Sequence, residues 1–239
     1  MTRLGILTLL LLGSAPAGAQ ATGAPPWRVG LLAGFSVTGN TSIPAFQLFS
    51  QAGGQFGLHG GVTLIFEPTP WLGLQSGLLY SQKGYTSANG GYSLFSYNSY
   101  VGTVTDWRLN YLDMPIAVQV HPLQASRGWF LEVGPQASCL LSTSYQQTLT
   151  TSNTTQVFRG SATDDFRRFT GGWLTGIGYQ DENRVSLGLR YTRDLVAMRP
   201  EIMLPPGVAS VNTEGKNWSA QLYVGYHFGR RSQAPAPSR

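Results

Sequence analysis

The segment Asn217–Phe228 reads NWSAQLYVGYHF, and its two sets of alternate residues differ in character. Successive side chains of a β-strand point to opposite faces of the sheet. One face would therefore be apolar, with aromatic rings at both ends: Trp218, Ala220, Leu222, Val224, Tyr226 and Phe228. The opposite face would be mostly polar: Asn217, Ser219, Gln221, Tyr223, Gly225 and His227. A strand of about ten residues with one apolar face is what a β-barrel needs to cross a membrane.

The same alternation recurs along the rest of the chain. In the segment 107–121, for example, Leu112 and Met114 fall on an apolar face, whereas Asp113 and Gln119 fall on the other. We therefore predict eight strands, at residues 27–38, 56–66, 71–85, 107–121, 128–145, 165–180, 184–195 and 217–228. The middle of each apolar face lacks charged residues, as expected if that face meets hydrocarbon, where Lys or Arg costs about 2–4 kcal/mol.

The connections between these strands alternate between short and long. Three are short turns, at 67–70, 122–127 and 181–183. Four are long and rich in Ser, Thr, Asn and Gly, at 39–55, 86–106, 146–164 and 196–216. Outer-membrane barrels have short periplasmic turns and longer extracellular loops. In lipid the first and last strands must also pair, because open sheet edges would leave backbone groups unsatisfied. The sequence thus predicts an all-β fold, an eight-stranded antiparallel up-and-down transmembrane β-barrel.

Composition agrees with this prediction and argues against several functions. Charged residues are only 11% of the chain, against about 25% in typical soluble domains. The net charge of +5 includes three arginines after residue 228, so it is weak evidence for a nucleic-acid partner, and we expect none. Cys139 is the single cysteine, and we expect it to pack as a small apolar side chain. The three histidines match no metal-binding spacing, and we expect no cofactor, no metal and no enzymatic activity.

The two ends of the chain read as processing and tail segments. Arg3, the apolar run Leu4–Leu12 and the small residues Ala17–Ala19 have the pattern of a signal peptide. We predict a signal peptide at 1–19, the barrel at 20–228 and a disordered periplasmic tail at 229–239. Sec-dependent export and residence in the cell outer membrane would follow.

Four charged residues fall on the polar faces, which would line the lumen. We expect Arg28 and Glu132 to lie low in the lumen, and Asp113 and Arg190 nearer its middle. A charge buried in a narrow lumen must be paired and hydrogen-bonded. An eight-stranded barrel encloses a space that side chains can fill. We therefore predict two ion-pair clusters that cross the lumen and close it.

Aromatic residues cluster at strand ends, as the two membrane–water interfaces favour. We expect an aromatic girdle near the periplasmic rim and a second one near the outer rim. The periplasmic girdle would contain Trp27, Trp129, Tyr226 and Phe228, and the outer girdle would contain Trp107 and Trp218. Charged residues at 164–168 would meet lipopolysaccharide head groups. The expected partners are thus outer-membrane lipids, lipopolysaccharide and envelope proteins.

Several stretches carry a family resemblance. They are LQSGLLYSQKGY (74–85), LNYLDMPIAVQV (109–120), FLEVGPQAS (130–138), VSLGLRYTRDL (185–195) and the terminal AQLYVGYHF. In this order they resemble the PorT-like outer membrane β-barrel family, which is typical of Bacteroidota. The resemblance implies an integral outer-membrane barrel. Because the founding member is associated with secretion and gliding machinery, it also implies a structural or binding role, or one accessory to envelope secretion.

Two other interpretations remain open from the sequence. Alternation alone does not say which face is inside, so a soluble lipocalin-like barrel with an apolar cavity and ligand is the first alternative. The second is a lipid-modifying outer-membrane enzyme, which would use a histidine near the outer rim. His59 is the residue that could lie at that level.

Overall fold

The computed structural model describes residues 27–41, 53–92, 100–122, 128–151, 153–181, 184–199 and 215–228. The predicted signal peptide and the predicted tail lie outside these ranges and stay predictions. The described residues form nine strands: β1 (Trp27–Asn40), β2 (Gln55–Thr69), β3 (Leu72–Tyr92), β4 (Tyr100–Val120), β5 (Gly128–Thr151), β6 (Thr155–Ser161), β7 (Phe169–Gln180), β8 (Val185–Asp194) and β9 (Asn217–His227). None of their helical turns is long and apolar enough to cross a membrane.

Eight of the strands close into an antiparallel ring. Each pairs with its neighbour in the order β1–β2–β3–β4–β5–β7–β8–β9, and β9 pairs back onto β1. The predicted closure between the first and last strands is therefore confirmed, as is the predicted fold class. Among the described residues, the ninth strand, β6, pairs with β5 alone, alongside the part of β5 (144–150) that extends beyond its pairing with β7 (128–139).

The stagger of the ring gives the tilt of its strands. Following cross-strand partners from Trp27 once around the barrel leads back to β1 at Val37, ten residues further on. Over eight strands this stagger corresponds to a tilt of about 40°, at about 3.3 Å per residue and 4.8 Å between strands. Between Trp27 and Val37 the wall then rises about 25 Å, the height of the apolar band of a membrane barrel.

The alternation places the apolar face outside. Leu222 and Val224 are about half exposed, at 48% and 52%, whereas Gln221 and Tyr223 are buried. The outward face is likewise apolar on the other seven ring strands, and charged residues are missing from its middle in all the described strands. The lipocalin-like alternative is therefore wrong, because it requires the apolar side chains to line the cavity.

The strand lengths differ from the prediction at one end of the barrel. The segment 86–106 is largely a paired hairpin, because β3 continues to Tyr92 and β4 begins at Tyr100. The segment 146–164 contains the end of β5 and all of β6. These extensions rise above the apolar wall, so both faces can be polar and apolar alternation does not mark them. Conversely, the strand predicted from residue 165 begins only at Phe169, because Thr163–Asp165 forms a 3-10 turn.

Candidate functional site: the filled lumen and its mouth

The barrel has a short-turn end and a long-loop end. At the short-turn end β2 connects to β3, β4 to β5 and β7 to β8, whereas the long-loop end is the opposite one. An ion pair between Arg28 and Glu67 lies at the short-turn end. Arg28 is buried and faces inward, since successive side chains of a strand alternate and its neighbour Trp27 is exposed on the outer face. Glu67 lies near the end of the adjacent strand β2. Above it, Ser186 and His227 are hydrogen-bonded across 3.2 Å.

A second group of polar side chains crosses the lumen and is called the Glu132 cluster here. The Arg190 guanidinium donates from Nε and Nη2 to the two carboxylate oxygens of Glu132, at 2.8 and 2.9 Å. The Tyr223 hydroxyl donates to the same carboxylate at 3.4 Å. Gln119 donates to Gln75 at 2.7 Å, and Gln75 also accepts from Arg190 at 3.4 Å. Five strands (β3, β4, β5, β8 and β9) thus contribute to one buried network, whose two charged groups are paired in a bidentate arrangement.

A group of apolar side chains packs beside the Glu132 cluster, on its side toward the long-loop end. Leu32, Leu79 and Tyr223 pack together at the middle of the barrel, and all three are buried. Leu79 lies on the inward face of β3, the same side as Gln75. Its position explains why the alternation of β3 looks irregular in the sequence, since an apolar side chain packs inside the barrel there.

A third polar group lies nearer the long-loop end. Lys83 donates from Nζ to Asp113 at 3.2 Å and to Ser138 at 3.4 Å, and all three residues are buried. The ammonium group also lies 4.7 Å from the centre of the Tyr111 ring, a cation–π contact. Nearby, Asn217 donates to Tyr111 and to Asp194, in both cases at 3.3 Å.

An apolar cap covers these polar groups at the long-loop end. Its buried members are Tyr85, Leu109, Tyr111, Leu140, Phe166 and Met198, and Trp107 packs against them. Backbone hydrogen bonds hold two connecting segments in place over the mouth. Arg167 N donates to Met198 O at 2.8 Å, and Met198 N donates to Gly215 O at 3.0 Å. The Arg199 guanidinium lies 4.7 Å from the centre of the Trp107 ring.

The structure places the four predicted lumen charges inside the barrel but pairs them differently. Glu132 binds Arg190, and neither Arg28 nor Asp113 takes part in that pair. Arg28 pairs instead with Glu67, which lies beside it at the end of β2. Asp113 pairs with Lys83, a residue that the sequence analysis missed. Lys83 could have been found, since it shares the inward parity of Gln75 and Leu79 on β3.

The predicted aromatic girdle divides into two groups. Trp27, Trp129, Tyr226 and Phe228 are 41–56% exposed on the outer wall at the short-turn end. All four make ring contacts: Trp27 contacts Phe66, Trp129 contacts Tyr179, and Tyr226 and Phe228 contact each other. On β9, Trp218 is half-buried and lies on the outward face toward the other end.

Trp107 is not a girdle residue, which corrects the prediction. It shares the inward parity of Leu109 and Tyr111 on β4, and its ring centre lies 5.3 Å from that of Phe166 and 6.4 Å from that of Tyr85. Its position at a strand end favours a girdle residue, whereas the alternation of β4 places its ring on the inward face.

The described residues of the long-loop end form two clefts. One, of about 730 Å³, lies against Trp107 and Tyr145 and includes Asp164 and Arg168 in its lining. Arg168 donates to Asp164 at 3.1 Å, and both side chains are exposed. The other, of about 580 Å³, lies between β4 and β6 and includes Arg108 and Arg159 in its lining.

His59, the histidine considered for a rim site, is not at the rim. Its side chain points into the lumen and is 4% exposed, and Ser81 is its cross-strand partner on β3. Among the described residues, no group of three or more potential His, Cys, Asp or Glu ligands lies close enough together to hold a metal ion.

A closed ring of eight tilted strands, an apolar wall about 25 Å high and a polar interior define a transmembrane β-barrel of the outer-membrane class. Within that class, the chain belongs to the family described as outer membrane protein beta-barrel domain, whose model matches residues 19–196. The sequence prediction of an outer-membrane β-barrel is thereby confirmed. No curated protein sequence matches the chain significantly.

Solved structures of small barrels are similar in fold. Neisserial surface protein A shares 13% identity with a TM-score of 0.41, covering 86% of this chain and 99% of its own. The attachment invasion locus protein Ail of Yersinia pestis shares 9% identity with a TM-score of 0.39 and the same two coverages. The N-terminal β-barrel domain of Pseudomonas aeruginosa OprF shares 10% identity with a TM-score of 0.36, again with these coverages.

Proposed function

We propose that this protein is a closed outer-membrane barrel that acts through its surface at the long-loop end, in a structural or binding role, and that its lumen does not conduct solutes. The observation that carries the proposal is the filling of the lumen by buried ion pairs and the apolar cap. A pore would have to separate these groups from one another.

The energy of such a separation argues for a closed lumen. Removing one partner of a buried ion pair typically costs about 3–5 kcal/mol. If separating Arg190 from Glu132 costs as much, a state with that pair open is populated below about 1%, since 1.4 kcal/mol corresponds to a factor of ten. The Lys83–Asp113 pair and the cap add to this barrier, because they lie further along the same path.

Conductance in planar lipid bilayers tests the proposal. The refolded full chain should insert without producing channels, while a known porin in the same bilayer gives steady steps as a positive control. Steady openings on the nanosiemens scale by the wild-type protein would overturn the closed-lumen proposal.

The orientation and the partners are part of the same proposal. Short turns face the periplasm in outer-membrane barrels, so we place the long-loop end outside the cell, after export directed by residues 1–19. A PorT-like member of the family could then serve as an accessory to envelope secretion machinery. Cross-linking intact envelopes and identifying captured proteins tests this role, and capture of lipids alone would count against it.

We also propose that the protein is not a lipid-modifying enzyme. The argument concerns His59: its imidazole lies inside the filled lumen, where a bilayer lipid has no access. Mass spectrometry of lipid A from a deletion strain should show the same species as the parent strain. A lipid A species that disappears with the gene would contradict this part of the proposal.

A further inference from the structure

The outer surface changes abruptly from apolar to polar where β4 leaves the apolar wall. Leu112 and Met114 are exposed apolar residues, while Asn110 and Arg108 follow them on the same face of the strand. Arg108 lies four positions before Leu112 on β4, which corresponds to about 10 Å of height at a tilt of about 40°. The head-group region adds about 5–8 Å to each side of the hydrocarbon core. Arg108 is therefore at or just above the level of lipid head groups.

A network of hydrogen bonds marks this boundary on the outer wall. The Tyr80 hydroxyl donates to Asn110 at 2.9 Å, and Asn110 donates to Ser142 at the same distance. Gln82 donates to Tyr80 at 3.3 Å. Three neighbouring strands, β3 to β5, thus present amide and hydroxyl groups where the apolar wall ends.

Above this network lies the 580 Å³ cleft, which we call the Arg108 cleft. It is open on the outer side of β4, β5 and β6. Cross-strand pairing puts Arg108 beside Ser144, and Arg159 beside Gln146, on the same outward surface. The two guanidinium groups therefore line one cleft from β4 and β6, with hydroxyl and amide groups of β5 between them.

The charges in the Arg108 cleft leave it able to bind an anion. Among the described lining residues the one carboxylate is that of Asp106, which already accepts hydrogen bonds from Thr86 at 2.5 Å and Gln55 at 3.3 Å. Arg159 donates from Nε to Gln146 at 3.0 Å, which positions its guanidinium. Within the described part of the chain, the guanidinium of Arg108 has no hydrogen bond or ion pair. Arginine binds phosphate groups through paired N–H donors, and such charge-assisted hydrogen bonds are strong.

We propose that the Arg108 cleft binds the phosphorylated head group of an outer-leaflet glycolipid, with Arg108 and Arg159 contacting phosphate and the acyl chains lying on the apolar wall below, around Leu112 and Leu141. The proposal rests on the proposed function, because it requires the long-loop end to face outward. It assigns the lipopolysaccharide contact to the outer wall of β4–β6, away from the exposed Asp164–Arg168 pair at the mouth.

The test compares binding of purified lipopolysaccharide to the refolded full chain in detergent. Combining Arg108→Gln with Arg159→Gln should weaken binding at least about tenfold, because two charge-assisted contacts are lost. Arg193→Gln is the matched control, since Arg193 is also exposed and outward-facing at the long-loop end, on β8 outside the cleft. Its affinity should equal that of the wild type.

Two further arms identify the group that is recognised. Dephosphorylated lipopolysaccharide should bind the wild type as weakly as the intact glycolipid binds the double variant, and millimolar inorganic phosphate alone should not compete. Equal binding of phosphorylated and dephosphorylated glycolipid, or wild-type affinity in the double variant, would overturn the site. Competition by inorganic phosphate would also overturn it, because the cleft would then be a free-phosphate site.

Folding and orientation are controlled separately. Heat-modifiable migration on gels shows whether each variant is folded, and the single variants Arg108→Gln and Arg159→Gln replace a double variant that fails this check. Binding in detergent does not depend on how the barrel is inserted or on conductance. Loss of the site therefore leaves the closed-lumen proposal intact, and conduction by the wild type leaves the site intact.

Discussion

At the scale of single residues, the buried pair of Arg190 with Glu132 joins the two side chains through two charge-assisted hydrogen bonds. Replacing Glu132 by Gln keeps the shape of the side chain but leaves the buried guanidinium without its carboxylate. We expect the free energy of unfolding to fall by about 3 kcal/mol or more. Urea unfolding of the protein refolded in lipid vesicles measures this loss.

The exposed pair of Arg168 with Asp164 provides the control. Asp164→Asn removes a carboxylate from an arginine in the same way, but in contact with water, and should change the stability by no more than about 0.5 kcal/mol. Equal effects of Glu132→Gln and Asp164→Asn would show that burial of the lumen pair contributes nothing to stability.

The same residues show what the sequence could and could not predict. Alternation predicted that Arg28, Asp113, Glu132 and Arg190 face the lumen, because each has apolar neighbours that face out. It could not predict that Arg190 meets Glu132, since the two lie 58 residues apart on strands that are not adjacent. That contact depends on the ten-residue stagger of the ring, which is a property of the whole sheet.

At the scale of strands, Gly134 allows β4 and β5 to approach each other closely. A Cβ atom added there would overlap the carbonyl oxygen of Ile116, which is backbone and has little freedom to move. Gly134→Ala should therefore force the two strands apart and lower the yield of folded barrel several-fold. The fraction that migrates as the heat-modifiable form after refolding in detergent measures the yield.

Gly171→Ala in β7 is the matched control for this substitution. A Cβ atom at Gly171 would meet only the carbonyl oxygen of Gln136, at 3.9 Å, an ordinary contact. Its yield should equal that of the wild type or exceed it slightly, because alanine restricts the unfolded chain more than glycine does. Comparable yields for the two variants would contradict the close approach at Gly134.

The strand boundaries show how far alternation reaches as a predictor. Within the apolar wall it placed every ring strand, because each strand there separates lipid from the lumen. Beyond Tyr85 on β3, and before Trp107 on β4, both faces of the hairpin can meet water and the signal is lost. The inward position of Trp107 was predictable from the alternation of β4, whereas the segment 162–168 that covers it was not.

At the scale of the whole molecule, closure of the ring could be predicted, because an open sheet cannot leave its edges unpaired in lipid. The filling of the lumen followed from the strand number. The ten-residue stagger of the ring could not be predicted from the sequence. The order of the polar groups along the barrel axis depends on this stagger and could not be predicted either. The Arg108 cleft was missed for the same reason, since β6 joins the surface only through its pairing with β5.

The central claim is that hydrocarbon surrounds the outward face of the barrel, and the energy of an arginine on that face tests it. Leu189 lies near the middle of the wall on β8, and Val185 lies on the same face near the short-turn end. In lipid vesicles, Leu189→Arg should lower the free energy of unfolding by about 2–4 kcal/mol and Val185→Arg by about 0–1 kcal/mol.

The decisive measurement is urea unfolding of these two variants beside the wild type in the same vesicles. A large loss of stability for Leu189→Arg and a small one for Val185→Arg is the result expected of a wall immersed in lipid. Losses below about 0.5 kcal/mol for both variants, as at a water-exposed surface, would contradict it.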